Sequence, residues 1–398
     1  VIFDCVIVGG GIIGLSTAWQ LSQRYPDKKL LLFEKEHQYA LHQTGHNSGV
    51  IHAGVYYQPG SLKARFCKQG VEGTIAFCRQ HQIPYEQCGK LLVATNAIEY
   101  RRMQDLHKRC RQNEIEAEWL SADALRQHEP NIVGVGAIFV PSTGIVDYRL
   151  VAGKMADEFN TRGGKCELDC EVIDIEESAG NIRVTTSKGD YSTRFLICCS
   201  GLMADRLVKT HGLKADFQII PFRGEYYQLP AHRNDIIKHL IYPIPDPDLP
   251  FLGVHITRMI DGSVTVGPNA VLGWKREGYG VVNFSLRDSM EMLGFPGFWR
   301  VLGANLKSGV AEFKNSLCKK GYLALVRKYC PQLTSEDLLP YPAGIRAQAV
   351  LADGCLVHDF LFKETPRVLH VCNAPSPAAT SSIPIGNYIC DKIAQRIE

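Results

Sequence analysis

A β-branched apolar run, Val1-Ile2-Phe3-Asp4-Cys5-Val6-Ile7-Val8, passes directly into Gly9-Gly10-Gly11-Ile12-Ile13-Gly14, and from Leu15 to Leu21 the apolar period turns helical. A second apolar stretch, Lys29 to Phe33, ends on Glu34, 20 residues beyond Gly14. Strand, glycine turn, helix, strand and terminal acid in this order form the dinucleotide-binding βαβ fingerprint. Its spacing assigns Gly9 to the tight turn, Gly11 to the close approach of backbone to a pyrophosphate, and Gly14 to helix–strand packing. The helix N-terminus then faces the phosphates. Glu34 is positioned to accept hydrogen bonds from an adenosine ribose, and its charge argues against a 2′-phosphate there. A glycine-rich turn ahead of an arbitrary helix would not need the acid at that distance. The fingerprint leaves FAD and NAD open.

At 398 residues the chain suggests two or three packed units. Its 45% apolar and 21% charged residues are those of a globular protein, and a net charge of +3 is too small to suggest a nucleic-acid binder. The most apolar uncharged stretch, Cys5 to Gln23, is broken by glycines, so no transmembrane helix is expected. Fourteen cysteines include no C-x-x-C pair, and the Cys166-x3-Cys170 spacing is wrong for zinc. No metal site is expected, and buried single thiols in a reducing compartment are the simpler reading. The chain opens directly into a strand, with no targeting segment in view.

Three further segments favour flavin. Thr44-Gly45-His46-Asn47-Ser48-Gly49-Val50-Ile51-His52-Ala53-Gly54 is an uncharged stretch rich in hydrogen-bonding groups, where a nicotinamide domain would start another βα unit. Phe195 to Gly201 is an apolar strand ending in a small-residue turn, before a helix-like segment from Ala204 to Thr210 and after a short strand at Cys170–Asp174. Near the C-terminus, strand-like Val368–Cys372 leads through Asn373-Ala374-Pro375-Ser376-Pro377-Ala378-Ala379-Thr380 to a helix with Ile385, Ile389, Ile393 and Ile397 on one side. The positive end of that helix is suited to stabilising charge on a reduced flavin.

On these segments, together with Arg223-Gly224-Glu225-Tyr226-Tyr227, Gly267-Pro268-Asn269-Ala270 and Ala343-Gly344-Ile345-Arg346-Ala347-Gln348, the chain resembles the D-amino-acid-oxidase-like flavoprotein family from end to end. The resemblance implies a mixed α/β architecture, with a Rossmann-like FAD domain (1–85, 147–221 and 341–398) interleaved with a mixed-sheet substrate domain (86–146 and 222–340). It implies non-covalently bound FAD held by Gly9, Gly11, Gly14 and Glu34 at the ADP half. Thr44 would approach the pyrophosphate, while His46, Asn47, Ser48 and Gly49 would line the ribityl chain and ring. Val172 would meet the adenine, Ser200 and Gly201 the ribose side, and Gly344, Ala378, Ala379 and Thr380 the isoalloxazine.

The activity implied is oxidation of L-2-hydroxyglutarate to 2-oxoglutarate by hydride transfer to flavin N5. An amine or amino-acid oxidase of the same fold and a non-catalytic flavin-binding subunit are the alternatives. A dicarboxylate calls for arginine anchors, whose planar fork binds a carboxylate through two bonds. A histidine near its ordinary pKa of about 6.5 is a natural base for the hydroxyl proton. His255 and His52 are the candidate bases and Arg346 the candidate clamp. Arg258, Thr257, Tyr57, Tyr242 and Asn269 are the other expected substrate contacts, whereas Lys275 and Arg276 are expected to face solvent. Strand alternation puts His255 and Thr257 on one face and Arg258 on the other, so His255 and Arg258 share a ligand only if the strand ends or bulges there. The apolar, aromatic stretch Met290 to Gly303, followed by Lys307, Lys314, Lys319, Lys320, Arg327 and Lys328, makes 290–328 a candidate membrane-interface segment. The resemblance implies peripheral attachment to the inner mitochondrial membrane in a eukaryote and a quinone-linked acceptor.

Overall fold

The structure, a computed structural model, describes residues 1–247, 253–280, 282–304 and 319–397. The opening run becomes β1 (Ile2–Val8), α1 (Ile12–Arg24) and β2 (Leu30–Phe33). β1 pairs in parallel with β2 on one side and with the strand Gly189–Cys198 on the other. Both faces of β1 are covered, which is why Cys5, Val6 and Ile7 are fully buried and the run reads as continuously apolar rather than alternating. α1 is likewise buried on several sides, because it packs against the helices Tyr148–Thr161 and Ser382–Ile397. In the latter, Ile385, Ile389, Ile393 and Ile397 are all buried, as their four-residue spacing on one helix face requires. Gly14 permits α1 to start against β1, since a Cβ there would lie 1.9 Å from the Gly9 carbonyl oxygen.

The first sheet has eight strands: Val172–Glu177, Ile182–Thr186, Gly189–Cys198, β1, β2 and Lys165–Glu167 in order, with Val368–Asn373 beside Gly189–Cys198 and Leu361–Glu364 beside that. The second has nine strands and is mostly antiparallel. Val271–Leu272, Phe217–Gln228, Val264–Gly267, His255–Arg258, Leu240–Pro243, Lys90–Ala94, Gly136–Val140 and Glu118–Ser121 follow one another, and Leu339–Leu351 adds beside Phe217–Gln228. The class is therefore mixed α/β, and the chain passes between the two sheets repeatedly. The strands Phe217–Gln228 and Leu339–Leu351, which run through positions 221 and 341, both belong to the second sheet.

One expectation is overturned where the two units meet. Arg276, expected in solvent, is 2% exposed. It pairs with the fully buried Asp205 and donates to the Leu202 carbonyl at 2.8 Å, while Lys275 is exposed. The neighbouring Arg206 joins Asp288 and Glu291. These guanidinium–carboxylate pairs fasten the 273–293 region to the helix Ala204–Thr210, and the buried arginine is tolerated because its carboxylate partner is buried with it.

The 290–328 segment begins within the helix Leu286–Leu293 and contains the helices Pro296–Ala304 and Lys319–Arg327. Lys307 and Lys314 lie outside the described residues. Met292 and Phe298 point inward, whereas Leu286, Met290 and Trp299 are each more than half exposed. Among the described residues, no helix is long and apolar enough to cross a membrane.

Candidate active site

A cavity of about 600 Å³ runs between the glycine turn after β1 and the second sheet, within the range of small-molecule and cofactor sites. On the β1 side it is lined by Gly9, Gly11 and Glu34. Gly9 has φ +109°, and a Cβ there would fall 2.4 Å from the Cys199 carbonyl oxygen, so the turn itself demands glycine. Gly11 is different: a Cβ would meet only Thr44 Oγ1, at 3.5 Å, and otherwise point into the cavity. Nothing in the protein forbids a side chain at Gly11, so the space it leaves is for a ligand. Glu34 is held in place by accepting from the backbone N–H of Gly10 at 2.7 Å and of Glu36 at 2.9 Å. Thr44 Oγ1 accepts from Ile12 N at 3.0 Å, capping the start of α1.

The loop after Thr44 is shaped by its own side chains. Asn47 donates to the Gln43 and Thr44 carbonyls and accepts from Gly49 N, closing a tight turn, and Gly49 adopts φ +65°. His46, Asn47 and Ser48 line the cavity, and the His46 ring stacks on Tyr279 at 4.0 Å. Gly49 and Gly14 do not line it; both glycines serve backbone packing beneath it. Across the cavity lie Val172, Ser200, Gly201, Gly344, Ala378, Ala379 and Thr380. Ser200 Oγ is buried and has no hydrogen-bond partner among the described residues, which suits it to a ligand hydroxyl or phosphate. Thr380 is fully buried: its hydroxyl donates to Val50 O and accepts from His52 N and Tyr148 OH, fixing the C-terminal turn against the loop that carries His52.

His52, His255, Arg346, Tyr57 and Tyr242 also line the cavity. His255 is 4% exposed; its Nδ1 pairs with Thr257 Oγ1 at 3.0 Å, and its ring stacks on Tyr242 at 3.9 Å with a 9° interplanar angle. The expectation of an imidazole near 6.5 is corrected here. Burial, followed by the charges of Lys90, Arg346 and Lys63, lowers the His52 imidazole to about 3. Burial and then Arg346, His52 and Lys90 hold His255 well below its ordinary range. Both rings are neutral at physiological pH and hence able to accept a proton.

Three expected substrate contacts stand elsewhere. Arg258 projects from the other face of its regular strand, bridging Glu86 at 3.0 Å and donating to Lys238 O, so the alternation is not broken and the guanidinium does not line the cavity. Thr257 lies behind His255 and orients it. Asn269 is 3% exposed and is spent on Glu225, accepting from its N–H and donating to its carboxylate. The sequence reading missed Lys63, Tyr56, Tyr226 and Gln43, which all line the cavity, and Lys90 just behind it. Lys63 Nζ sits 4.8 Å from the Tyr57 ring, and its pKa is lowered by burial, against the opposing pull of Asp359. At the rim, Glu36, His42 and Glu277 converge, with Lys35 Nζ 2.6 Å from Glu277 supplying a positive charge in their midst.

A cavity that opens on a nucleotide-type glycine turn with an anchored acid beside it is a dinucleotide-binding site. The FAD dependent oxidoreductase family matches residues 4–392, and the chain belongs to that family. Over 392 residues it is 60% identical to the L-2-hydroxyglutarate dehydrogenase of Escherichia coli (strain K12), covering 98% of this chain and 93% of that protein. The mitochondrial L-2-hydroxyglutarate dehydrogenase of Homo sapiens is 42% identical over 414 residues, covering 100% of this chain and 89% of the relative. Among solved structures, the fold matches FAD-bound L-alpha-glycerophosphate oxidase from Mycoplasma pneumoniae (TM-score 0.79, 22% identity, 97% of this chain and 93% of that one). It also matches glycine oxidase from Geobacillus kaustophilus (TM-score 0.75, 18% identity, 99% and 95%). The chain is thus an FAD-dependent oxidoreductase.

Proposed function

We propose that this chain oxidises L-2-hydroxyglutarate to 2-oxoglutarate, with residues 1–85, 147–221 and 341–398 holding FAD and residues 86–146 and 222–340 closing over the substrate. The observation that carries the reading is the gathering of Arg346, Lys63, His52 and His255 on one cavity. Two cations there suit the two carboxylates of a small diacid, and Arg346 offers a fork for one of them. The relatives' names point to the same substrate.

Gly9, Gly11 and the N-terminus of α1 would receive the pyrophosphate, Glu34 the adenosine ribose, and Ser200 a neighbouring hydroxyl. His46, Asn47, Ser48, Gly344 and the Ala378–Thr380 turn would surround the ring. When bound, FAD supplies the acceptor for the hydride that leaves Cα. The protein's task is to hold the diacid and take the hydroxyl proton. In the tautomer whose Nδ1–H donates to Thr257 Oγ1, His255 Nε2 is the nitrogen that accepts that proton, and the stacked Tyr242 ring keeps the imidazole from turning. His52 is the competing base. A bound dianion offsets the surrounding cations, so the imidazole becomes more basic as substrate arrives, which favours proton transfer in the complex over the free enzyme.

Electrons would pass on to a quinone-linked acceptor at a membrane surface, which in a eukaryote would be the inner mitochondrial membrane. The exposed Leu286, Met290 and Trp299 support peripheral contact there. Flotation of the holoenzyme with anionic vesicles tests this contact, and failure of Met290→Ser with Trp299→Ser to weaken it would remove the support. Substrate identity is tested by flavin bleaching under anaerobic conditions, with glycine, sarcosine and D-amino acids as competitors.

A further inference from the structure

Lys90 opens a buried strand, followed at once by Leu91, Leu92, Val93 and Ala94, and it is the only charged side chain in that strand. It has no solvent exposure, and its Nζ has no hydrogen-bond partner among the described residues. Two aromatic faces stand in for one: Nζ lies 4.9 Å from the centre of the Tyr56 ring and 5.1 Å from that of Tyr242. An ammonium without an acceptor carries a heavy desolvation cost that a leucine or methionine in the same strand would avoid. The packing of this strand therefore gives no reason for a lysine.

The reason is visible in the sheet order. Lys90–Ala94 pairs in parallel with Leu240–Pro243, Leu240 opposite Lys90 and Tyr242 opposite Leu92. On its other edge Leu240–Pro243 pairs with His255–Arg258, Ile241 opposite Ile256. Tyr242 thus stands between the strand of Lys90 and the strand of His255, with the ammonium near its ring and the His255 imidazole stacked upon it. Tyr56 and Tyr242 line the cavity; Lys90 does not.

The geometry points to Lys90 as a positioning residue of the active site, a fixed buried cation that acts through the Tyr56–Tyr242 wall to draw anionic ligands into the cavity. The groups that face it are Tyr56, Tyr242, Cys67 from the helix Leu62–Gln80 and Cys110 from the helix Ala97–Gln112. Arg346 and Lys63 are cations that line the cavity itself. Burial lowers the Lys90 ammonium to about 8, against the opposing pull of the two thiols. The charge is therefore mostly present at neutral pH and is withdrawn as pH rises through that value.

The inference rests on the cavity taking a carboxylate substrate, and its test is kept separable from that reading. The dissociation constant of 2-oxoglutarate from the oxidised holoenzyme is measured by flavin difference spectroscopy from pH 7 to pH 9.5, where the ligand's charge does not change, with 2-oxobutyrate as a monoanionic control. Wild type should weaken about fivefold or more across this range, the size of an ordinary coupling free energy between sites. Lys90→Met should already be weaker by that factor at pH 7 and should show a flatter slope, with Lys63 supplying what slope remains. It should do so at normal flavin content. Lys90→Arg, whose charge does not titrate there, should bind as wild type does at pH 7 and keep only the slope that Lys63 supplies.

Wild-type affinity that does not change with pH, or a Lys90→Met slope equal to that of wild type, would overturn the inference. If Lys90→Met fails to fold, Lys90→Arg decides: the same alkaline weakening in that variant would overturn it as well. Failure of the substrate reading registers separately, as absence of flavin bleaching by L-2-hydroxyglutarate in wild type.

Discussion

Gly11 and Gly14 stand three residues apart in one motif, yet the structure assigns them different physical roles, and substituting each with alanine separates cofactor binding from folding. At Gly14 the added Cβ would lie 1.9 Å from the Gly9 carbonyl oxygen, an overlap that only a shift of α1 against β1 can relieve. Overpacking of this kind costs about 1–3 kcal/mol, or more when backbone must move. Gly14→Ala should therefore lower the melting temperature of the apoprotein as well as its flavin content. At Gly11 the Cβ meets only Thr44 Oγ1 at 3.5 Å, and the backbone, at φ −79° and ψ 173°, accepts any residue. Gly11→Ala should leave the apoprotein within about 1 kcal/mol of wild type, the usual range for an N-cap change. The methyl would instead occupy the space of the pyrophosphate, and the same 1–3 kcal/mol charged to binding is roughly a 5- to 150-fold weaker FAD complex. Thermal melts of the apoproteins and the ratio of flavin to protein absorbance read the two effects independently. A Gly11→Ala protein that purifies with full flavin content, or that melts as low as Gly14→Ala, would refute the reasoning.

Further outcomes follow from the site. Arg346→Lys keeps the charge but loses the fork, and kcat/KM should fall at least tenfold, about 1.4 kcal/mol of transition-state binding; near-normal kinetics would place the clamp at Lys63. Replacing the true base among His255 and His52 by Ala should slow anaerobic flavin reduction about 10²–10⁴-fold with FAD still bound, and stopped-flow measurement of both variants identifies it. Acid stability follows from His52 and His370, each held at about 3, His370 by burial and then His211 and Lys363. Their ordinary value is 6.5, so the unfolded chain takes up these protons first. Stability is intact above 6.5 and is lost progressively as pH falls toward 3, at about 1.4 kcal/mol per pH unit for each histidine. Urea midpoints at pH 7 and pH 5 should differ accordingly, and His370→Gln should shrink the difference; equal midpoints would contradict these assignments.

What could be read from the sequence was what is local. The glycine turn, the acid after β2 and the isoleucines of the last helix announce themselves because their partners lie within one supersecondary unit or recur on one helix face. That the loop after Glu34 lines the cavity was also legible, since an uncharged, hydrogen-bonding stretch has few other uses there. Charge placement was not. Whether Arg258 or Arg276 faces inward depends on Glu86 and Asp205, which lie 172 and 71 residues away, and no local pattern reveals such partners. Lys63 follows the helix cap Ser61 and looks like any exposed first-turn lysine. Lys90 did leave a signal, a lone charge heading an apolar strand. The imidazoles were misjudged for the same reason: an ordinary pKa near 6.5 is a property of the residue, whereas the shift of His52 to about 3 comes first from burial and then from cations contributed by three separate segments.

The central claim, that this FAD-dependent oxidoreductase takes a 2-hydroxy diacid, is tested most directly by anaerobic titration of the yellow holoenzyme with the two enantiomers of 2-hydroxyglutarate. L-2-hydroxyglutarate should bleach the flavin stoichiometrically and yield one equivalent of 2-oxoglutarate, while the D-enantiomer, glycine, sarcosine and D-amino acids leave it oxidised. A flavin that stays yellow with the L-enantiomer, or that is bleached as readily by an amine, would contradict the claim.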